Sequence, residues 1–247
     1  MGRVCLPERR RPVIRIAFLS CFFPAFNEHE NIGGLLEEAL EVLPRFADRF
    51  ELIVVDDGST DSTGEVVRQL AAKHPEVRLE SHDANRGYGQ ALRTGMAASR
   101  GDAVFFTDAD RQFRISDLDR LMPLFSGADV VVGYRIKRND PWHRLAVARV
   151  YHTVLRLLFS VEQHDVDCAF KLIRREVLDR LLPTLVSEYA FISPELLIRA
   201  RIAGYRVAEV GVPHHPRTAG RPKGATPKVI ARTIGEIAAM RRELRTP

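Results

Sequence analysis

Apolar, β-branched runs at about 14–23, 51–56, 76–81, 102–107 and 128–133 alternate with helical stretches at 29–43, 61–74, 87–99 and 116–125. This alternation is the strongest constraint on the fold. Parallel neighbours need a crossover between them, so repeated strand–helix units predict an α/β architecture, a mostly parallel central sheet with helices on both faces. In such open sheets a ligand binds beyond the carboxyl ends of the strands. After residue 140 the pattern changes. Trp142 to Val161 reads as a helix with Trp142, Leu145, Ala146, Val150, Val154, Leu157 and Leu158 on one apolar side. A strand-like run over 168–173, a helix from about Pro194 and an apolar run from Tyr205 to Val212 follow. A last helix, roughly 227–244, sets Ile230, Ile234, Ile237 and Leu244 opposite Lys228, Arg232 and Arg241.

Two strand ends carry acids. The run Ala103-Val104-Phe105-Phe106-Thr107 closes in Asp108-Ala109-Asp110, with Gln112 two residues on. Carboxylates one residue apart repel and raise one another's pKa unless a cation lies between them. Their hard oxygens, with the Gln112 amide, suit Mg²⁺ or Mn²⁺ held against a substrate's phosphates. The simpler alternative is a pair of helix-capping, solvent-facing acids. The run 51–55 ends in Asp56-Asp57-Gly58-Ser59-Thr60-Asp61, where Gly58 permits a tight turn and Ser59, Thr60 or Asp61 can cap a helix starting near Ser62. A dehalogenase-type phosphatase would need its nucleophilic Asp where Val55 stands, which excludes that chemistry.

A length of 247 residues is ample for a full core. Cys5, Cys21 and Cys168, odd in number and widely spaced, fit neither a disulfide framework nor a zinc pattern and point to a reducing compartment. Cys21 reads as a small buried hydrophobe. No segment reaches the roughly 18 apolar residues of a membrane span. The run 14–23 follows Arg9-Arg10-Arg11 yet has no small-residue cleavage site after it, so it reads as the first strand rather than a signal sequence. A cytoplasmic location is expected. Residues 201–247 carry ten Lys and Arg against three Glu, whereas 1–200 carry a net −2. A basic tail on a neutral body favours anionic partners such as phosphates or an acidic membrane. No nucleic-acid motif and no aromatics interleaved with the charges accompany it, so nucleic acid is not an expected partner.

Taken in order, Phe23-Pro24-Ala25-Phe26-Asn27-Glu28, Val54-Val55-Asp56-Asp57-Gly58-Ser59-Thr60-Asp61, Asn85-Arg86-Gly87-Tyr88-Gly89-Gln90-Ala91-Leu92 and Asp108-Ala109-Asp110-Arg111-Gln112 resemble the family-2 glycosyltransferases of the GT-A fold. Within these the chain most resembles the polyprenyl-phosphate sugar synthases, of which dolichyl-phosphate mannose synthase is the familiar example. Gly133-Tyr134-Arg135, Asp165 to Leu172, and Arg217 with Gly220 and Lys223 extend the likeness over about 18–224. The resemblance implies a basic extension over 1–13, a GT-A domain over 14–224 and a basic amphipathic helix over 225–247. It further implies transfer of a hexosyl group, with inversion, from a GDP- or UDP-sugar to a polyprenyl phosphate. Pro24, Ala25, Asn27, Glu28, Asp56, Asp57, Asp108 and Ala109 would bind the nucleotide sugar. Asp108, Asp110 and Gln112 would hold the metal. Arg135, Arg144 and Arg149, with Arg217 and Lys223, would meet donor or acceptor phosphates, and Asp110, Arg135, Arg144, Arg217 and Lys223 form the expected catalytic set.

An acceptor that is already a phosphate anion needs no strong base; a hydroxyl acceptor would need one, with Asp167 or Glu195 as candidates. Three positions depart from the family pattern: Phe26 for Tyr, Tyr88 for Lys and Pro222 for Ser. Without transmembrane helices, contact with a lipid acceptor would fall to the 142–160 helix and the C-terminal helix, lying in the headgroup plane. Competing readings are weaker. Gly87-x-Gly89 does not follow the first strand as a dinucleotide fingerprint must. A nucleotidyltransferase would place a Gly-rich loop where Pro24-Ala25-Phe26-Asn27-Glu28 stands. An inactive nucleotide-sugar scaffold would have no reason to keep repelling carboxylates.

Overall fold

A computed structural model describes residues 15–136, 142–217, 219 and 227–244, with backbone alone at 142–146, 227 and 228. The strands are β1 (Ile16–Ala25), β2 (Ala47–Asp56), β3 (Val77–Ser81), β4 (Ala103–Phe106), β5 (Val130–Ile136), β6 (Lys171–Arg174) and β7 (Val207–Pro213). The helices are α1 (His29–Val42), α2 (Thr63–Ala71), α3 (Tyr88–Ala98), α4 (Leu118–Phe125), α5 (Trp142–Phe159), α6 (Arg175–Leu181), α7 (Ile192–Ile202) and α8 (Pro227–Glu243). The first half follows the sequence expectation closely. In the second half α6 is an element the sequence reading did not resolve.

The seven strands form one sheet in the order β3-β2-β1-β4-β6-β5-β7. All neighbours are parallel except that β6 runs antiparallel to both β4 and β5. The expected mostly parallel sheet therefore contains one reversed strand. Period-two alternation divides each strand between two cores. Leu19, Cys21 and Phe23 of β1, Leu52 and Val54 of β2, and Phe105 of β4 face one cluster. Phe22, Ile53, Val55, Val104 and Phe106 face the other. Burying each such side chain is worth about 1.5–3 kcal/mol, so strand order and facing are strongly determined.

β1 lies between β2 and β4, so the connections leave it in opposite directions across the sheet. Open sheets hold their ligand crevice at such a reversal, which here falls at the carboxyl ends of β1, β2 and β4, where the three acid-bearing turns emerge.

The two basic amphipathic helices pack differently from their sequence pattern. On α5, Leu155 is fully buried, whereas Val147, Val150, Val154 and Leu157 are exposed, Leu157 at 78%. On α8, Ile237 and Met240 join the core while Ile230, Ile234 and Leu244 stay exposed. The apolar stripes assigned from periodicity are thus split. Each helix is wide enough in apolar surface to feed the core on one side and leave a second strip outside.

Candidate active site

The turns after β1 and β2 are knitted together. Asp57 N donates to Ala25 O at 2.8 Å. Asn27, at φ 51, donates its N–H to Ser59 Oγ, and its side-chain oxygen accepts the Thr60 N–H at 2.8 Å. Asn tolerates this left-handed conformation because its short polar side chain bonds locally. Glu28 N donates to Thr63 Oγ1 at 2.9 Å. Asp61 accepts the Thr63 N–H at 2.9 Å just before α2, while the N-cap position itself falls on Ser62, which makes no side-chain cap bond, rather than on Ser59, Thr60 or Asp61.

The two Asp residues of the second turn have different occupations. Asp56 Oδ1 accepts the Ser59 N–H at 3.0 Å, and its other oxygen lies over Gly64, where an added Cβ would sit 2.8 Å away. Asp57 is saturated from within the protein. Its Oδ1 accepts from His82 Nδ1 at 2.7 Å and Arg86 N at 2.8 Å, and its Oδ2 from Gly87 N at 2.8 Å. His82 also reaches Thr94 Oγ1 at 2.9 Å. The Asp57 carboxylate therefore shapes the 85–89 turn. Gly87 (φ 96) supplies the left-handed residue that starts α3 there.

Below this turn lies the pair after β4. Asp108 accepts from the Tyr88 hydroxyl at 3.0 Å, so the residue standing where the family more often has Lys contacts an acid of the expected metal site. Burial first, and then the charge of Asp110, push the Asp108 carboxyl up to about 7. Asp110 is raised by burial and held back by Arg217. Ala109, between them, is buried. Among the described residues no three His, Cys, Asp or Glu side chains group into a metal cage. The donor set is two carboxylates, and desolvation raises both of their pKa values, so ionising the pair is costly without a further cation. Both features fit a hard divalent ion, which Asp108 and Asp110 would hold.

Arg217 spans the crevice. Its Nη2 donates to Asp110 Oδ2 at 2.6 Å and its Nη1 to Glu28 Oε1 at 3.2 Å. Glu28 is further held by Asn31 Nδ2 at 2.7 Å. Gln112 turns its amide nitrogen to His215 O at 3.1 Å, and His215 N donates to Gln112 O at 2.9 Å. This exchange ties the 214–217 segment to the acidic turn and gives Gln112 a fastening role beside its expected one.

Arg135 forms a fork with Asp165, Nε to Oδ2 at 2.6 Å and Nη2 to Oδ1 at 2.8 Å. Burial alone would lower its pKa, but the Asp165 hydrogen bonds and charge raise it. Beside it, fully buried Lys171 donates to Val166 O at 3.1 Å, to Ser193 Oγ at 2.8 Å and to Cys168 O, pinning the turn that carries exposed Asp167. Burial pushes the Lys171 amine down. Glu195 is fully buried and spent on the Val186 N–H, the Ser187 N–H and Arg199 Nε at 2.7–2.9 Å, so it is a brace rather than a base. The Arg144 side chain and Lys223 lie outside the described residues.

The crevice thus gathers Pro24, Ala25, Asn27, Glu28, Asp56, Asp108, Ala109, Asp110, Gln112 and Arg217, with Asp57 behind them. His82, Lys171 and the Arg217–Glu28 link were not read from the sequence. Only the extreme burial of a charged residue inside an apolar run could have marked Lys171.

The glycosyl transferase family 2 model matches residues 20–182. Glycosyltransferase AglD of Haloferax volcanii is 33% identical over 228 residues, 88% of this chain and 36% of that protein. A dolichyl-phosphate beta-glucosyltransferase of Dictyostelium discoideum is 30% identical, covering 84% of this chain and 69% of its own. An undecaprenyl-phosphate 4-deoxy-4-formamido-L-arabinose transferase of Edwardsiella ictaluri is also 30% identical, covering 87% and 65%. The chain thus spans about a third of the first and about two thirds of the others. Among solved structures, glucosyl-3-phosphoglycerate synthase from Mycobacterium tuberculosis, in complex with Mn²⁺, uridine diphosphate and phosphoglyceric acid, superposes with a TM-score of 0.68 at 24% identity, covering 94% of this chain and 80% of that one. The likeness at that identity is one of fold.

Proposed function

This chain belongs to glycosyl transferase family 2, and from that premise we propose that it moves a hexosyl group from a nucleoside-diphosphate sugar to a polyprenyl phosphate, with inversion. The observation that carries the donor half is Asp108 beside Asp110 at the end of β4, the first half-buried and the second buried, with both pKa values raised. Mg²⁺ or Mn²⁺ bound there would neutralise the charge that grows on the departing diphosphate. The structural neighbour's complex with Mn²⁺ and uridine diphosphate supports an ion of this kind.

The chain's own residues divide the remaining work. Asp57 and His82 fix the 85–89 turn that walls the nucleotide side. Arg217 holds Glu28 and Asp110 at a set distance and brings a guanidinium to the crevice. Arg135, locked by Asp165, keeps a charge of fixed position near Asp108. An acceptor phosphate attacks without losing a proton and so calls on neither Asp167 nor Glu195 as a base, the latter being occupied elsewhere. The names of the dolichyl- and undecaprenyl-phosphate relatives support the acceptor class.

The test is a thermal-shift series with uridine diphosphate and guanosine diphosphate, each with and without Mn²⁺. Ligand at about 100 times its Kd adds about 2.7 kcal/mol of stability. A metal-dependent shift with one of the two, lost in Asp110→Asn, is expected. Equal shifts in wild type and Asp110→Asn would remove the metal assignment. Transfer to a polyprenyl phosphate, read by mass and by the anomeric configuration of the product, tests the acceptor and the inversion.

A further inference from the structure

The segment from Leu185 to Phe191 is fastened by side chains from three helices. Arg93 of α3 donates to Leu185 O at 2.8 Å and Ser187 O at 3.0 Å. Glu195 of α7 accepts the Val186 and Ser187 N–H groups. Glu236 of α8 accepts three more, from Glu188 at 2.6 Å, Tyr189 at 2.8 Å and Phe191 at 3.3 Å. Arg232, one turn earlier on α8, stacks over the Tyr189 ring at 4.3 Å. A carboxylate that collects three backbone donors within four residues fixes a loop as a unit.

This strap bears directly on the donor site. A Cβ at Gly89 would come within 2.3 Å of Glu188 O and Tyr189 O, so the two backbones touch. A Cβ at Gly87 would sit 3.6 Å from the Tyr189 ring. Between these glycines stands Tyr88, whose hydroxyl meets Asp108. The contacts are continuous from α8 to the acid pair.

The outer side of α8 is built for a different task. Val154 and Leu158 of α5 with Ile234, Ile237, Ala238, Arg241 and Arg242 of α8 line a groove of about 580 Å³. Arg241 Nη1 donates to Leu158 O at 2.9 Å, while its Nε has no hydrogen-bond partner among the described residues. Val150, Leu157 and Ile230 continue the exposed apolar strip, with Arg149 and Arg156 beside it on α5. Apolar side chains rimmed by arginines match the acyl and headgroup layers of an anionic lipid surface. No described helix is long and apolar enough to cross a membrane, so this contact is one of lying on the surface.

Resting on the lipid-acceptor reading above, we infer that the α5–α8 groove docks on an anionic lipid surface and that Glu236 transmits this docking to the donor site through the 185–191 strap. Glu236 is a positioning residue: it touches neither donor nor acceptor. Holding α8 against the lipid limits its motion, and the strap then keeps the Gly87–Gly89 turn and Tyr88 in the arrangement that receives metal and diphosphate.

The experiment uses the full chain and vesicles of phosphatidylcholine with about one third phosphatidylglycerol. Vesicle binding is measured by co-sedimentation. The affinity for uridine or guanosine diphosphate with Mn²⁺ is measured with and without vesicles. In the wild type, vesicles should tighten nucleotide binding about fivefold or more. Glu236→Ala should still sediment with vesicles but lose the gain. Arg232→Ala, which removes only the ring contact, should lose part of it and guards against misfolding of the first variant. Hydrogen exchange at residues 86–91 should slow on vesicle binding in the wild type and not in Glu236→Ala. Vesicle binding with no gain, or an equal gain in Glu236→Ala, overturns the coupling. Failure of the wild type to bind vesicles overturns the dock, while its metal-dependent nucleotide binding leaves the donor reading standing.

Discussion

Arg217 Nη2 donates to Asp110 Oδ2 at 2.6 Å, joining residues 107 positions apart in the sequence. The same guanidinium reaches Glu28, so one side chain neutralises two buried carboxylates from different strand ends. Arg217→Ala leaves both without that partner. A loss of about 1–3 kcal/mol is expected, below the cost for a fully buried pair because Arg217 keeps some solvent contact. Urea melts at neutral pH measure it, and the loss should shrink in acid as Asp110, whose pKa burial raises, protonates. Wild-type stability at neutral pH would contradict the brace.

Asp108 makes the site pH-sensitive. Its carboxyl is pushed up to about 7 by burial and by Asp110, against an ordinary value of about 3.9. The folded chain therefore holds this proton more tightly than the unfolded chain does. The group's contribution is fully favourable below about 4 and is lost as pH rises through about 7. Metal-free Asp108→Asn should gain on the wild type across that window. A divalent ion must displace the same proton, so Mn²⁺ affinity with nucleotide should fall as pH drops below about 7. Calorimetry in two buffers of unlike ionisation enthalpy counts the proton released; a pH-independent affinity would refute the link.

Gly95→Ala separates two opposed effects inside α3. Helix propensity favours alanine by about 1 kcal/mol. The new Cβ would lie 2.2 Å from Cδ2 of the Phe22 ring, which is itself stacked on Phe106 with centroids 5.0 Å apart. Overpacking of this kind costs about 1–3 kcal/mol. A net fall in stability is expected in thermal melts, and a rise would show that the ring can move.

Leu155 and Leu157 give the fourth contrast. They are two residues apart on α5, one fully buried and the other 78% exposed. Leu155→Ala should cost about 2–5 kcal/mol and Leu157→Ala less than about 0.5 kcal/mol. Chemical denaturation of the two variants decides it; similar losses would mean that the outer strip is also packed.

The residues at the ends of β1, β2 and β4 were legible because short motifs there have strict local demands. A strand of buried apolar residues must end before it can present Asp56 or Asp108, and a left-handed Gly58 must follow for the turn to close. The division of labour was not legible. Asp56 and Asp57 are adjacent and chemically identical, yet Asp57 is saturated by His82, Arg86 and Gly87 because alternation points it toward the 85–89 turn. Glu195, a plausible base from its type alone, is consumed by two backbone N–H groups of a loop eight to nine residues earlier. Periodicity found α5 and α8, but their broad apolar surface could not reveal which strip would face the core.

By itself the sequence determined the strand–helix alternation, the parallel sheet that follows from it and the placing of acids at strand ends. Those features rest on local periodicity and turn chemistry, which act over a few residues. Tertiary structure alone decided the reversal of β6, the bridge from Arg217 to Glu28 and Asp110, and the hold of Glu236 on the 188–191 backbone. Each depends on groups tens to nearly two hundred residues apart, and their pairing is fixed by packing two faces of one sheet, where every buried charge must find a partner.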